Sequence, residues 1–222
     1  PLVSRLYRET FVTVFGDSTF LNYKRSDWAD EEFETLAEAM HLWTSCLKIN
    51  LGDNQCGDRG AIALAKAALG GALPVVEILG LYRNQLGVAA FEALADAISR
   101  GAMPRLQVLS LDGNAATRLI EKGTPPEDRA AFERWAAANA AVSALRAACE
   151  KRSIQLSVTA QEREEHWQSN RLVAKGVGST DHLEHLNPKQ RLQGAFLAVM
   201  STNRIKKMLS NLEVADAEGS LS

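Results

Sequence analysis

The chain is short of cysteine, carries no excess of either charge and has no long apolar run, and each shortage excludes something. Three cysteines, Cys46, Cys56 and Cys149, in 222 residues are too few and odd in number for a disulfide framework, which favours a reducing compartment. With 25 basic against 27 acidic side chains, bulk charge makes no case for nucleic acid or an anionic membrane as partner. No stretch approaches the ~18 consecutive apolar residues of a membrane-spanning helix. Arg5, Arg8 and Glu9 interrupt the N-terminal segment, so it does not read as a signal peptide. The opening Pro1 points to a fragment or a processed product. Catalytic signatures are also missing: the chain holds no nucleophile–base pair and no Gly-x-Ser-x-Gly elbow.

What is present is a repeated nonapeptide. Cys46-x-x-Ile49-x-Leu51-x-x-Asn54 recurs as Val76-x-x-Leu79-x-Leu81-x-x-Asn84 and as Leu106-x-x-Leu109-x-Leu111-x-x-Asn114, each copy 30 residues after the last. The fourth and sixth residues alternate with the others, the period of a strand with one buried face. The Asn side chain can bond neighbouring backbone and hold a turn. Gly57 and Gly87 follow, at a bend expected to need a positive φ. Ala61, Leu64, Ala65 and Ala68, then Phe91, Leu94, Ala95 and Ile98, fall at helical spacing and give each unit one apolar stripe. Gly71 and Gly101 end these helices, with Pro74 and Pro104 close behind.

The pattern extends both ways. Leu21–Arg25 and Phe33-Glu34-x-Leu36-Ala37 match Leu79–Arg83 and Phe91-Glu92-x-Leu94-Ala95, with Ser26 in place of the Asn. Ser26 is expected to weaken the turn but to keep a hydroxyl there. Downstream, Phe132-Glu133-x-Trp135-Ala136 reads as the next helix opening, after an insertion of about eleven residues within 115–128. Ile154, Leu156 and Val158 alternate as a final strand. Cys46 and Cys56 occupy apolar positions of their repeats and read as small core residues.

This unit resembles the leucine-rich repeat, of the ribonuclease-inhibitor type. The resemblance covers about residues 17–158 and implies an α/β fold: a right-handed solenoid of about four units, with parallel strands on the concave side and helices on the convex side. Residues 1–16 would form an N-terminal segment or cap, 159–213 a helical C-terminal extension and 214–222 a disordered tail.

Such folds present a surface more often than they carry chemistry. Positions three, five, seven and eight of the nonapeptide should face the concave side or its rim. Position three holds Phe20, Lys48, Ile78 and Val108, and position five Asn22, Asn50, Gly80 and Ser110. Position seven holds Lys24, Gly52, Tyr82 and Asp112, and position eight Arg25, Asp53, Arg83 and Gly113. Ile78, Tyr82, Arg83, Val108 and Asp112 are expected to centre a partner-binding patch, with Lys48, Lys24 and Arg25 beside it. The alternative is that the insertion or the C-terminal tail covers this face, or that the face simply tolerates apolar residues.

In the tail, Gln161–Lys175 reads as a charged helix and Gly176–Thr180 as a linker. A second helix from Pro188 to about Leu212 is amphipathic and basic: a second partner contact, or, as we favour, a cap on the solenoid end. His182 and His185 lack a third metal partner. Lys175–Thr180 lacks the end of a phosphate loop, and Gly52–Asp58 lacks the bidentate Glu of a calcium loop. His41 reads as structural. We expect no cofactor and no enzyme activity, but a cytoplasmic, non-catalytic protein-binding module. The alternatives are a regulator of a small GTPase, of the GTPase-activating kind that resembles this repeat class, with Arg25, Arg83 and Asn114 as candidates, or the recognition fragment of a larger scaffold or innate sensor.

Overall fold

A computed structural model describes residues 19–121, 123 and 125–171. Five strands of three residues each, β1 (Phe20–Asn22), β2 (Lys48–Asn50), β3 (Ile78–Gly80), β4 (Val108–Ser110) and β5 (Gln155–Ser157), pair in chain order. Every pairing is parallel, and Leu21, Ile49, Leu79, Leu109 and Leu156 stand in one row across the sheet. All five are buried in a single core, as the alternating pattern predicts for the fourth nonapeptide position. The helices α1 (Asp30–Ala39), α2 (Asp58–Leu69), α3 (Val88–Ser99) and the long α5 (Arg129–Lys151) return the chain from each strand to the next. Each packs on its predecessor, α1 on α2, α2 on α3 and α3 on α5, so every unit rests on its neighbours, as in a repeat stack.

The strands are short because the chain turns away two residues beyond each, and the Asn side chains hold that turn. Asn54 donates to the carbonyls of Tyr23 and Leu51 at 2.9 and 3.0 Å and accepts from the Ser26 and Trp28 amides at 3.0 and 3.2 Å. Asn114 does the same two units on, donating to Leu81 and Leu111 and accepting from Asn84 and Leu86. Each Asn therefore ties its own turn to that of the preceding unit and satisfies backbone groups that burial would otherwise orphan. Ser26 heads the row and does not take part through its side chain: its buried hydroxyl has no hydrogen-bond partner among the described residues. There the aromatic stack of Tyr23 on Trp28, 4.8 Å between ring centres, and the edge of Trp28 on Phe33 fill the end of the core.

The helix side has a second ladder. Asp30 accepts from the amides of Gly57 and Gly60 at 2.7 and 2.9 Å, and Asp58 from those of Gly87 and Ala90 at 2.6 and 3.1 Å. A carboxylate in the first turn of one helix thus caps the start of the next. This corrects the expected role of Gly57 and Gly87. Their φ values are −96° and −95°, open to any residue. The glycines instead leave room for the capping carboxylates: a Cβ at Gly87 would lie 2.8 Å from Asp58 Oδ2 and one at Gly57 3.1 Å from Asp30 Oδ2.

The last unit also departs from expectation. After Asn114 the chain forms a short helix, α4 (Ala115–Ile120), and only later α5. Phe132 is 44% exposed, whereas Ala141, Val142, Leu145, Ala148 and Cys149 are buried, the same spacing as Ala90, Phe91, Leu94, Ala97 and Ile98 in α3. Val142, not Phe132, is the counterpart of Phe91, so the insertion is 21 residues rather than eleven: Val142 lies 28 residues after Asn114, where Phe91 lies 7 after Asn84. Arg152 then closes the α3 end, donating to the carbonyls of Ile98, Ala102 and Met103 at 2.7–3.0 Å. The final helix, α6 (Ala160–Arg171), packs against β5. The proposed helix from Pro188 to Leu212, the two histidines, the linker and the N-terminal segment lie outside the described residues. Among the described residues no helix is long and apolar enough to cross a membrane.

Candidate functional site

The sheet has one face on the core and one face away from the helices, and the second carries the positions the repeat leaves free. In the row of position three, Phe20, Lys48, Ile78, Val108 and Gln155 are register neighbours. Phe20 is 37% exposed and Lys48 half-buried, but Ile78 and Val108 are only 6% and 2% exposed. Neither belongs to the main core, and nor does Tyr82. These three are buried on the side of the sheet opposite α1, α2, α3 and α5, where Arg163 of α6 meets the Tyr82 ring.

Tyr82 occupies its place because Gly52 and Gly80 are bare. A Cβ at Gly52 would clash with the Tyr82 ring, 2.3 Å from Cζ, and one at Gly80 would come within 3.3 Å of it. The ring of one unit therefore leans across the empty position seven of the unit before. At position eight the chain enters the left-handed region in each of the first four units: φ is 57° at Arg25, 54° at Asp53, 50° at Arg83 and 68° at Gly113. Three of these are not glycine, a conformation that costs on the order of 1 kcal/mol each. Bonds between units hold them there, from the amides of Arg25 to Gly52 O, Asp53 to Tyr82 O and Arg83 to Asp112 O, at 3.2, 2.9 and 2.7 Å.

Charges then join the rows. Asp53 lies 3.2 Å from Lys24 Nζ, 3.7 Å from Arg25 Nε and 3.6 Å from Arg83 Nη1. The Arg25 and Arg83 side chains are 72% and 53% exposed, so each pair contributes little to stability. Asp112 differs. It is 2% exposed, and burial pushes its carboxyl above the ordinary range, against the opposing pull of Arg163. Arg163 Nη1 reaches Asp112 Oδ2 at 3.3 Å, and its guanidinium lies 4.3 Å from the Tyr82 ring centre. The other oxygen, Oδ1, has no hydrogen-bond partner among the described residues. Lys24 stands farther out, 5.4 Å from the same ring centre.

Arg163 comes from α6, which a capping box begins: Thr159 Oγ accepts from the Glu162 amide at 3.2 Å, and Glu162 accepts from the Thr159 amide at 3.0 Å. Glu162 also accepts from Val158 N and pairs with Arg146 of α5 at 3.4 Å. Burial alone would raise Glu162, but these amides and Arg146 outweigh it and hold its carboxyl below the ordinary value. Ser157 of β5 and His166 of α6 are hydrogen-bonded at 2.8 Å.

Of the sequence-predicted residues, the structure brings together Lys24, Arg25, Tyr82, Arg83 and Asp112, places Ile78 and Val108 side by side and buried on adjacent strands, and leaves Lys48 one strand from Ile78. Asp53, Gly52 and Arg163 were missed. The one signal for the first two was a lone glycine among large residues at position seven, with an acid following it among arginines. The apparent calcium loop is structural: Asn54 and Asp58 serve the two ladders. His41 Nδ1 bonds the Glu38 carbonyl at 2.8 Å. The cysteines are free and buried, and burial pushes the Cys46 and Cys149 thiols up to about 12 and about 11. Among the described residues no group of three or more His, Cys, Asp or Glu could hold a metal ion.

No family model matches the chain, and no curated protein matches it. Among solved structures, a chain described as the Leiomodin-1 actin-binding site 2 is similar at 18% identity, covering 78% of this chain and 99% of its own length, with a TM-score of 0.43. That likeness is too distant to bear on the fold or on a partner.

Proposed function

We propose that the chain is a leucine-rich-repeat module that binds a protein partner without catalysis, through the sheet face opposite α1, α2, α3 and α5. One observation carries this: Tyr82, Arg83, Asp53 and Asp112, drawn from three successive units, converge outside the core with a buried carboxylate oxygen that has no hydrogen-bond partner among the described residues. Stability does not explain that arrangement. Leaving a buried acceptor unpaired costs about 1–3 kcal/mol, and holding non-glycine residues at left-handed φ adds to the cost. Tyr and Arg are also the side chains that most often anchor protein interfaces. Ile78 and Val108 are buried and do not form its exposed surface.

A GTPase-activating role needs an arginine or amide poised to act. Arg25 and Arg83 both turn to Asp53, and Asn114 is fully buried in the turn ladder. Three buried free thiols suit a reducing compartment such as the cytoplasm. The test is Tyr82→Ala with Arg83→Ala, scored by affinity for a purified protein partner. The reading expects a loss of about tenfold or more with the folded circular-dichroism spectrum retained. Unchanged affinity in the double variant would overturn it.

A further inference from the structure

The occupant of the Tyr82–Asp112 site is the chain's own Arg163, and its surroundings say what the site selects. A flat cation lies 4.3 Å from the centre of an aromatic ring, the arrangement that favours guanidinium through both charge and stacking. The same group meets a carboxylate that is 2% exposed, through one oxygen only, while the second oxygen has no hydrogen-bond partner among the described residues. A guanidinium approaching end-on can engage both oxygens of a carboxylate, as an ammonium cannot. Arg163 is held from a helix also tethered at Glu162–Arg146 and His166–Ser157, and it makes only half of that contact.

We propose that this site is an arginine-recognition site, that Arg163 fills it as an internal stand-in, and that a protein partner binds by inserting an arginine that displaces α6. This rests on the reading of the sheet face as the docking face. The internal occupant sits in the run Gln161-Glu162-Arg163-Glu164-Glu165, an arginine among acids, and the rim around the site carries the exposed Arg25 and Arg83. The displacing segment is therefore an arginine with acidic neighbours, whose carboxylates meet the rim arginines as Asp53 does now. Because α6 competes for the site, the apparent affinity of any such segment is reduced by the fraction of molecules in which Arg163 is docked.

The probes are N-acetyl-arginine amide and its uncharged isostere N-acetyl-citrulline amide, titrated into the full chain by NMR. Arg163→Ala should bind the arginine probe about tenfold more tightly than the wild type. The citrulline probe should show no such gain. Adding Asp112→Asn to Arg163→Ala should abolish the gain. Should Arg163→Ala lose the folded spectrum, Arg163→Gln, which keeps the length and removes the charge, serves in its place with the same expectation. Equal binding by wild type and variant, equal binding of the two probes, or a gain that survives Asp112→Asn would each overturn the proposal. The docking reading is scored separately, by a purified protein partner against the Tyr82→Ala/Arg83→Ala variant. Probe failure with partner binding still sensitive to that variant overturns the arginine reading alone. Probe binding with a partner indifferent to the variant supports the arginine site and overturns the docking reading.

Discussion

Replacing Asn114 by alanine should cost this fold about 4 kcal/mol, and the figure follows from which backbone groups lose their partners. Asn114 is fully buried. Its Oδ1 accepts from the amides of Asn84 and Leu86, both at 3.1 Å, and alanine leaves both donors without it. Its Nδ2 donates to the Leu111 carbonyl at 2.8 Å, which also loses that bond. The Leu81 carbonyl fares better, because Asn84 Nδ2 still reaches it at 3.0 Å. Two orphaned amides at about 1–3 kcal/mol each, with a smaller charge for the carbonyl, give about 4 kcal/mol. At about 2–4 °C per kcal/mol for a domain of this size, the melting point falls by about 8–16 °C. Urea unfolding of wild type and variant, followed by circular dichroism, measures it. The partner variant Asn114→Asp keeps the acceptor but points a carboxylate at the Leu81 and Leu111 carbonyls. Its charge is disfavoured in the folded state, so its stability should be lowest at neutral pH and recover as pH falls and the acid protonates. A loss under 1 kcal/mol for Asn114→Ala would refute the claim that these side chains hold the units together.

Gly52→Ala should be destabilising by about 1–3 kcal/mol and should expel the Tyr82 ring, seen as a large shift of the Tyr82 ring resonances. Gly87→Ala should cost a similar amount because its methyl group meets Asp58, and Asp58→Ala should relieve that clash, so the double variant loses less than the two single losses summed. Asp112, ordinarily 3.8, is raised in the folded state. The native chain thus binds that proton more tightly than the unfolded one, and stability falls as pH rises through the window above 3.8. Asp112→Asn should remove that slope and match or exceed the wild type in stability at pH 7, read by melts across pH. Glu162 has the opposite sign: its folded value lies below its ordinary 4.5, so its contribution holds above that pH and is lost as pH falls, detaching α6 first in hydrogen exchange. The three thiols should resist a thiol reagent in the folded chain and react on unfolding.

The sheet was legible from the nonapeptide because strand pairing in a repeat stack follows sequence order, so a fixed 30-residue spacing already gives the register. The asparagine turns were legible for the same reason. Contacts between units that involve unlike residues were not. Gly57 and Gly87 look like local turn glycines, and only the approach of Asp30 and Asp58, more than 25 residues earlier, shows what takes the space of a side chain. Phe132-Glu133-x-Trp135-Ala136 copies the letters of a helix opening, yet α5 is long enough to begin before the core and leaves Phe132 on the surface. Tyr82, Arg83 and Asp112 stood out by type and position. Their partner Arg163 did not, because a charged helix after the last repeat carries no sign of the face to which it returns.

The central claim is that the sheet face around Tyr82 docks a protein. A purified partner, first found by cross-linking to the full chain and then titrated by calorimetry, decides it. The account predicts that Tyr82→Ala with Arg83→Ala weakens binding about tenfold or more while the double variant, destabilised by loss of the buried Tyr82 ring, keeps the folded circular-dichroism spectrum at the assay temperature. A partner that binds wild type and the double variant equally would contradict it.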